Sequence, residues 1–485
     1  MKNSLKILSK VAAMAAIATL LVLLHQSKSG QAATQPVTPH ERTSSEADQE
    51  GVAITAYNSN IGLVREIRRL SLNPGVTSLK FSDVAEQILP QTVYIKSLSK
   101  TSGINILEQN YEYDLLTPQK LLEKYVGQEI NVLKDGVEVP ITILSANNGV
   151  VYRMGGRIFT DFPGKLIFPS LPANFTPKPT LVWLLENQIA QPQQVEASYL
   201  TRGINWKADY VTVLDKDDRQ IDLTGWVTLE NSSGATYRNA RLKLVAGDVN
   251  RVVEQWGDRA GMVARELASK PASSSAFTEQ GFFEYHLYSL QRPTTIKNNQ
   301  TKQVSLLAAN NVPVTKRFLY YGAEDYYRTQ YGELGSNQKV GVYVEIANTK
   351  EHRLGMPLPK GTMRVYKADA DGSLQFIGED RIDHTPKDET IKIKMGDAFD
   401  IVAERKQTDW KKISRNTYEV AFEVKLRNHK EEAVTVSVIE PIPGDWKMVA
   451  ASHEHKKVEA HTVQFDVPVK KDQEATLQYR VRLTF

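Results

Sequence analysis

The sequence predicts a mainly β fold: tandem antiparallel β domains, a C-terminal β-sandwich and little helix. Three observations carry this reading. Apolar residues recur at every second position in long runs, as in Tyr418, Val420, Phe422, Val424 and Leu426 against Glu419, Ala421, Glu423 and Lys425. Turn sequences such as Asn73-Pro74-Gly75 and Asp135-Gly136 separate these runs at short intervals. Helix start and stop signals come together convincingly at residues 118–125, and little else reads as helix. One apolar and one wetted face per strand is the pattern of antiparallel sheets stacked as a sandwich.

The chain opens on a different signal. Lys2, Lys6 and Lys10 lead into an apolar run of fourteen residues, Val11 to Leu24, interrupted only by Thr19, and Gln31-Ala32-Ala33 follows. That arrangement reads as an export signal over residues 1–33. A helix needs about 20 apolar residues to cross a bilayer, so no transmembrane anchor is expected after processing. The expected destination is across the inner membrane, in the periplasm or at the cell surface. Residues 34–50 are rich in Thr, Ser, Gln, Glu and Pro and read as a flexible linker.

Residues 51–180 read as a small N-terminal β domain with one short helix. Val52, Ile54 and Ala56 alternate, Thr77 to Phe81 and Val93 to Ile95 are strands, and Thr117 with Pro118 starts the helix that Gly127 ends. A run of hairpins follows, turning at Asp135-Gly136, Asn147-Asn148-Gly149 and Gly155-Gly156, as a bent sheet or partial barrel would. Prolines 172, 177 and 179 mark a boundary. Residues 181–335 form a central β domain, with strands around Val195–Leu200, Asp209–Leu214 and Ile221–Leu229. A short helix near 261–267 and a mobile loop over 251–281 interrupt it, and a strand restarts at Phe283. Residues 336–485 form the sandwich, ending on Leu477, Tyr479, Val481, Leu483 and Phe485. A terminal phenylalanine on an alternating strand also suits an outer-membrane barrel, but most strands here are short for its spans of 9–11 residues.

Composition limits the chemistry. There is no cysteine, which removes disulfides, thiolate metal ligands and lipid acylation at cysteine. The net charge of +4 comes from Lys2, Lys6, Lys10 and Lys28; without residues 1–33 the chain has 56 basic and 56 acidic side chains. Such a balance gives no general attraction to nucleic acid. No His-Glu-x-x-His, Gly-x-Ser-x-Gly, phosphate-loop or dinucleotide fingerprint occurs, so no catalytic residue and no cofactor is assigned.

Three clusters merit weighing. Arg317, Tyr320, Tyr321, Tyr326, Tyr327, Arg328 and Tyr331 concentrate the residue types favoured at recognition surfaces, and read as a candidate partner-binding loop. The competing reading has the tyrosines covering a junction between sheets. His453, His455 and His461, with Glu454 and Glu459, have ligand types that zinc accepts, but the stretch is charged enough to be a wetted turn. Glu440, Asp445 and Trp446 flank Pro441-Ile442-Pro443-Gly444, where an acid beside an aromatic can meet a sugar, or where Trp446 packs on the rim.

Residues 195–206, Tyr210, Gly225 to Asn231, Tyr237 and Leu242 to Asp248 resemble a bacterial family catalogued as domain of unknown function DUF4139, related to the mucoidy inhibitor proteins. The resemblance runs from about residue 52 to 485 and is strongest over 193–250. It implies β architecture and brings no catalytic set. Members similar to the mucoidy inhibitor carry a long coiled coil between two β domains, whereas residues 98–180 show no sustained heptads. The expected function is non-enzymatic: an exported cell-envelope protein that binds another envelope protein or serves as a scaffold. The alternative is an envelope carbohydrate-binding protein or hydrolase.

Overall fold

The computed structural model describes residues 39–99, 103–112, 117–147, 149–160, 164–170, 178–247, 249–250 and 277–485. The expected signal segment, the start of the linker and most of the stretch read as a helix and mobile loop lie outside these residues. Among the described residues the only α-helix is Pro118–Lys124, and the rest is built from strands. The helix forms as its ends dictate: Thr117 caps it by accepting from the Lys120 N–H at 3.2 Å, and Pro118 fills a position whose N–H would go unused. No helix of the described residues is long and apolar enough to cross a membrane.

The strands form four sheets around three cores. Helix Pro118–Lys124 covers a five-stranded sheet ordered Arg157–Phe159, Val151–Met154, Val137–Ser145, Glu129–Lys134, Lys165–Ile167. Its core is Leu122, Tyr125, Ile130, Val132, Ile141, Ile143 and neighbours. The turn at Asp135-Gly136 has positive φ at both residues, as the sequence required.

The second core lies among a four-stranded sheet, an eight-stranded sheet and one end of a thirteen-stranded sheet. Trp183, Tyr199, Trp206 and Tyr210 fill it. The boundary drawn near residue 180 falls inside these sheets. Strand Thr180–Asn187 pairs with Gly75–Ser82 and Ile104–Glu112, and Gln193–Arg202 pairs with Ile61–Leu70. Tyr237–Ala246 runs parallel to Gln49–Tyr57. Local turn signals mark where strands end, but not which distant strand completes a sheet.

The linker reading of residues 34–50 is corrected over its described part. His40–Ser44 pairs in parallel with Gly75–Ser82, and Ser45 and Asp48 make a capping box before Gln49–Tyr57 begins. Backbone pairing holds this polar stretch, which had little apolar surface to reveal it. Behind it Arg68 is fully buried; it donates to Glu66 at 2.7 Å, to the Ser82 carbonyl at 2.7 Å and to Ser44 at 3.3 Å. At the far side of the mobile-loop reading, Phe277–Phe282 is a strand paired with Tyr285–Leu290. Phe283, expected to restart a strand, sits in the connecting turn with φ 55°.

The third core is the C-terminal sandwich. One sheet runs Glu333–Ala347, Thr390–Lys412, Thr417–Asn428, Gln473–Thr484, Asp445–Ala451. The facing sheet runs from the end of Gln300–Tyr321 through Val434–Pro441 and Thr462–Val469 to His455–Glu459. The period-two pattern places Val420, Phe422, Val424, Leu426, Leu477, Tyr479, Val481 and Leu483 between them. Strand Gln300–Tyr321 is 22 residues long and belongs to two cores. Its first half pairs with Gln220–Asn231, and its second half enters the sandwich. The sandwich core thus takes in Phe318, Tyr320 and Tyr327, upstream of the boundary expected at 335/336, which itself falls inside strand Glu333–Ala347.

Candidate binding site

The sandwich has an open corner where its two sheets part. Strand 300–321 pairs with strand 333–347 only over Val314 to Leu319, and the last matched pair is Leu319 with Gly341. Beyond it, Tyr320 and Tyr321 stay paired on their other flank, with Val438 and Ile439. Strand 333–347 meanwhile turns away. Gly335 faces Arg405 and Gln338 faces Ala403, so Ser336 and Asn337 oppose the single residue Glu404. This is a β-bulge, with Asn337 in the left-handed region at φ 54°, and such an insertion bends a strand.

A buried ion pair bridges the two sheets behind the corner. Arg405, on strand 390–412, forks onto Glu440, on strand 434–441, with contacts of 2.9 and 2.7 Å, and neither side chain is exposed. Tyr327 donates to Glu440 at 3.2 Å and lies 2.9 Å from the Tyr479 hydroxyl. The guanidinium also lies 5.0 Å from the Tyr320 ring centre and 5.6 Å from that of Tyr326. Burial opposes the charge on Arg405, but Glu440 outweighs it and holds the guanidinium well above its ordinary pKa. Burial pushes the Tyr327 and Tyr479 hydroxyls well up, and the Glu440 charge adds to the effect. Gly322 passes so close that a Cβ there would overlap the Glu440 carboxylate.

Outside the corner lies an open groove of about 410 Å³. Tyr320 and Gln338 line it where it meets the core, joined by a hydrogen bond from the tyrosine hydroxyl. Tyr321 and Tyr343 line another part, their rings 6.4 Å apart in an edge-to-face arrangement. Ser336, Asn337, Lys339, Lys394 and Asp397 complete the polar wall. Asp397 is the one carboxylate in the lining and pairs with Lys394 at 3.2 Å, while no histidine lines it. Such a set suits recognition by stacking, amide contacts and charge. Its single carboxylate is tied to Lys394.

The expected binding loop thus divides. Tyr327 is core and Tyr320 nearly so, while Tyr326 is half-buried against Arg405 and Tyr331. Arg317 is tied to Glu345 at 3.2 Å. Tyr321 is 49% exposed at the groove, and Arg328 and Tyr331 are exposed on the segment after it. Sequence reasoning missed Arg405, Tyr343, Lys339 and Lys394. Alternation alone gave the signal for Arg405: it occupies an inward position between Ala403 and Gln407, both buried.

The other clusters do not converge. His453 contacts Ser452 at 2.9 Å, His455 packs on Phe465, and His461 contacts the Gly444 carbonyl at 3.1 Å. Among the described residues no group of three or more His, Cys, Asp or Glu is placed to hold a metal. Glu440 cannot meet a sugar, because the sheets enclose it. Trp446 donates to the Ala460 carbonyl at 3.1 Å under Lys457, as a rim residue does.

These features define the class: a tandem-domain β protein whose C-terminal sandwich opens at one corner into a groove lined by tyrosine, amide and lysine side chains. The chain belongs to the family described as domain of unknown function DUF4139, which matches residues 195–485 and so takes in the whole sandwich and its corner. No curated protein matches the chain.

Proposed function

We propose that this chain is an exported cell-envelope protein that binds another envelope protein, or scaffolds an assembly, through the corner of its C-terminal sandwich. The single observation that supports this most is the open groove itself. Tyr321 and Tyr343 present aromatic surface beside amide and lysine side chains, with the one carboxylate of the lining tied to Lys394. Aromatic residues are enriched at protein interfaces and supply their strongest contacts. Arg328 and Tyr331, exposed on the following segment, extend the surface. The basic, apolar and small-residue order of residues 1–33 supports export.

The test places a photo-crosslinking amino acid at Tyr321 in the full-length protein in intact cells. The expected result is a discrete adduct with one protein, absent when the same residue replaces exposed Lys207. A glycan array probed with the purified protein is the second arm. A clear glycan signal with no protein adduct would overturn this reading in favour of carbohydrate binding.

A further inference from the structure

Resting on that reading, we propose that the groove takes an extended, acidic segment of the partner, laid as an added strand along the flank of Gln300–Tyr321 past Leu319. Three features point to this mode. The first is backbone. The ladder between strands 300–321 and 333–347 stops at Leu319 and Gly341, yet strand 300–321 continues through Tyr320 and Tyr321 with its other flank paired. A strand flank that leaves its neighbour offers unpaired N–H and C=O groups, here those of Tyr321, since the Gly322 N–H bonds to the Ile439 carbonyl and turns Tyr320 and Gly322 to the paired flank; such groups are a template for an incoming strand.

The second feature is that the opening is built into the chain. The Ser336–Asn337 bulge carries strand 333–347 away, and strand 390–412 makes its own excursion opposite. Lys339 faces Val402, but Gly341 faces Asp397, so the four residues Ala398 to Ile401 oppose the single residue Val340. Irregularities on both strands hold the corner apart, and the buried Arg405–Glu440 pair fixes the sheets behind it. The site is therefore pre-formed and does not depend on a rearrangement to admit a peptide.

The third feature is charge. Lys339 is exposed and has no ion-pair partner among the described residues. Lys394 shares Asp397 at 3.2 Å, so the lining carries two ammonium groups against one carboxylate. An incoming strand would place alternate side chains toward the Tyr321 and Tyr343 rings, and a carboxylate within reach of Lys339 would complete the balance. An acidic peptide alternating with apolar residues has that chemistry.

The test is selection of a random linear-peptide display library on the full-length protein, with the Lys339→Glu variant in parallel. The expected outcome is enrichment of proline-poor peptides carrying Asp or Glu. Their affinity should fall at least about fivefold for K339E. It should also fall at least as far when alternate peptide nitrogens are N-methylated. Enriched peptides that tolerate N-methylation would overturn strand addition. Enriched peptides that are neutral or basic would overturn the acidic assignment. If no peptide is enriched while the Tyr321 crosslink still captures a protein, this inference fails and the partner-binding reading survives. If neither yields a product, both fail.

Discussion

Replacing Glu440 by Gln tests the pair that bridges the sandwich sheets. Both side chains are fully buried, and two contacts of 2.9 and 2.7 Å join them. Glutamine has nearly the same volume, so no cavity term enters. What changes is the charge left on Arg405, and stranding one member of a buried ion pair costs about 3–5 kcal/mol. The amide oxygen still accepts one bond from Arg405 or Tyr327, which places the expected cost near about 3 kcal/mol. For a domain of this size that lowers the unfolding midpoint by about 6–12 °C. Differential scanning calorimetry of the full-length protein reads the shift in the sandwich transition. The double variant Arg405→Met with Glu440→Leu removes both charges, and such replacements are often neutral or stabilising. Tyr327 and Tyr479 keep each other at 2.9 Å, but that contact uses only one of their two protons, so the double variant leaves one buried hydroxyl donor without an acceptor, at about 1–3 kcal/mol. It should therefore recover only part of the loss. A change below about 1 kcal/mol for Glu440→Gln, or a double variant that loses more than the single, would refute the reasoning.

Further expectations follow from other sites. Gly322→Ala drives a Cβ into the Glu440 carboxylate and should cost about 1–3 kcal/mol in a denaturant titration, with an unchanged midpoint counting against the packing described. Phe283 is 84% exposed with φ 55°, a conformation that Asn tolerates far better, so Phe283→Asn should stabilise the protein by about 0.5–1 kcal/mol; a loss would mean the ring makes contacts that matter to the fold. Burial pushes the Glu196 carboxyl up, but Arg65 at 2.6 Å and Lys96 at 3.4 Å outweigh it and hold its pKa below the usual glutamate range. A lowered folded-state pKa adds stability above the unfolded value of about 4.3 and loses it as pH falls through the folded value. Glu196→Gln should thus be less stable than the parent at pH 7, with the gap shrinking as pH drops from about 5 toward 3, and a pH-independent gap would exclude this origin. With the photo-crosslinker moved to exposed Ser336 in the groove, Tyr321→Ser should abolish partner capture while changing stability by no more than about 0.5 kcal/mol.

The strands were legible in the sequence because burial on one face imposes a period of two. Tyr418 to Leu426 and Leu477 to Leu483 fold as their alternation requires, and the helix at 118–124 starts where Thr117 and Pro118 place it. Pairing was not legible. Nothing local in Thr180–Asn187 says that it lies between Gly75–Ser82 and Ile104–Glu112, because those contacts close over long stretches of chain. The polar strand His40–Ser44 escaped notice for a related reason, since backbone bonds hold it and few apolar side chains do. At the site, composition located the right segment but could not sort it. Tyr320 and Tyr321 are neighbours, and on a strand neighbours point to opposite faces, so one enters the core and the other meets water. Glu440 read as a loop acid beside prolines because its partner Arg405 lies on another strand, across the sandwich.

The central claim is that the sandwich corner is a pre-formed, unpaired strand flank, and amide hydrogen exchange on the full-length protein tests it most directly. Ser336, Asn337 and the groove-side amide of Tyr321 should exchange rapidly, whereas the Tyr320 amide is turned to strand 434–441 and should not. Val420 to Leu426 and Leu477 to Val481, paired on both sides or enclosed by the core, should stay protected. Protection of the corner amides equal to that of these central strands would mean the corner is closed, and would contradict the account.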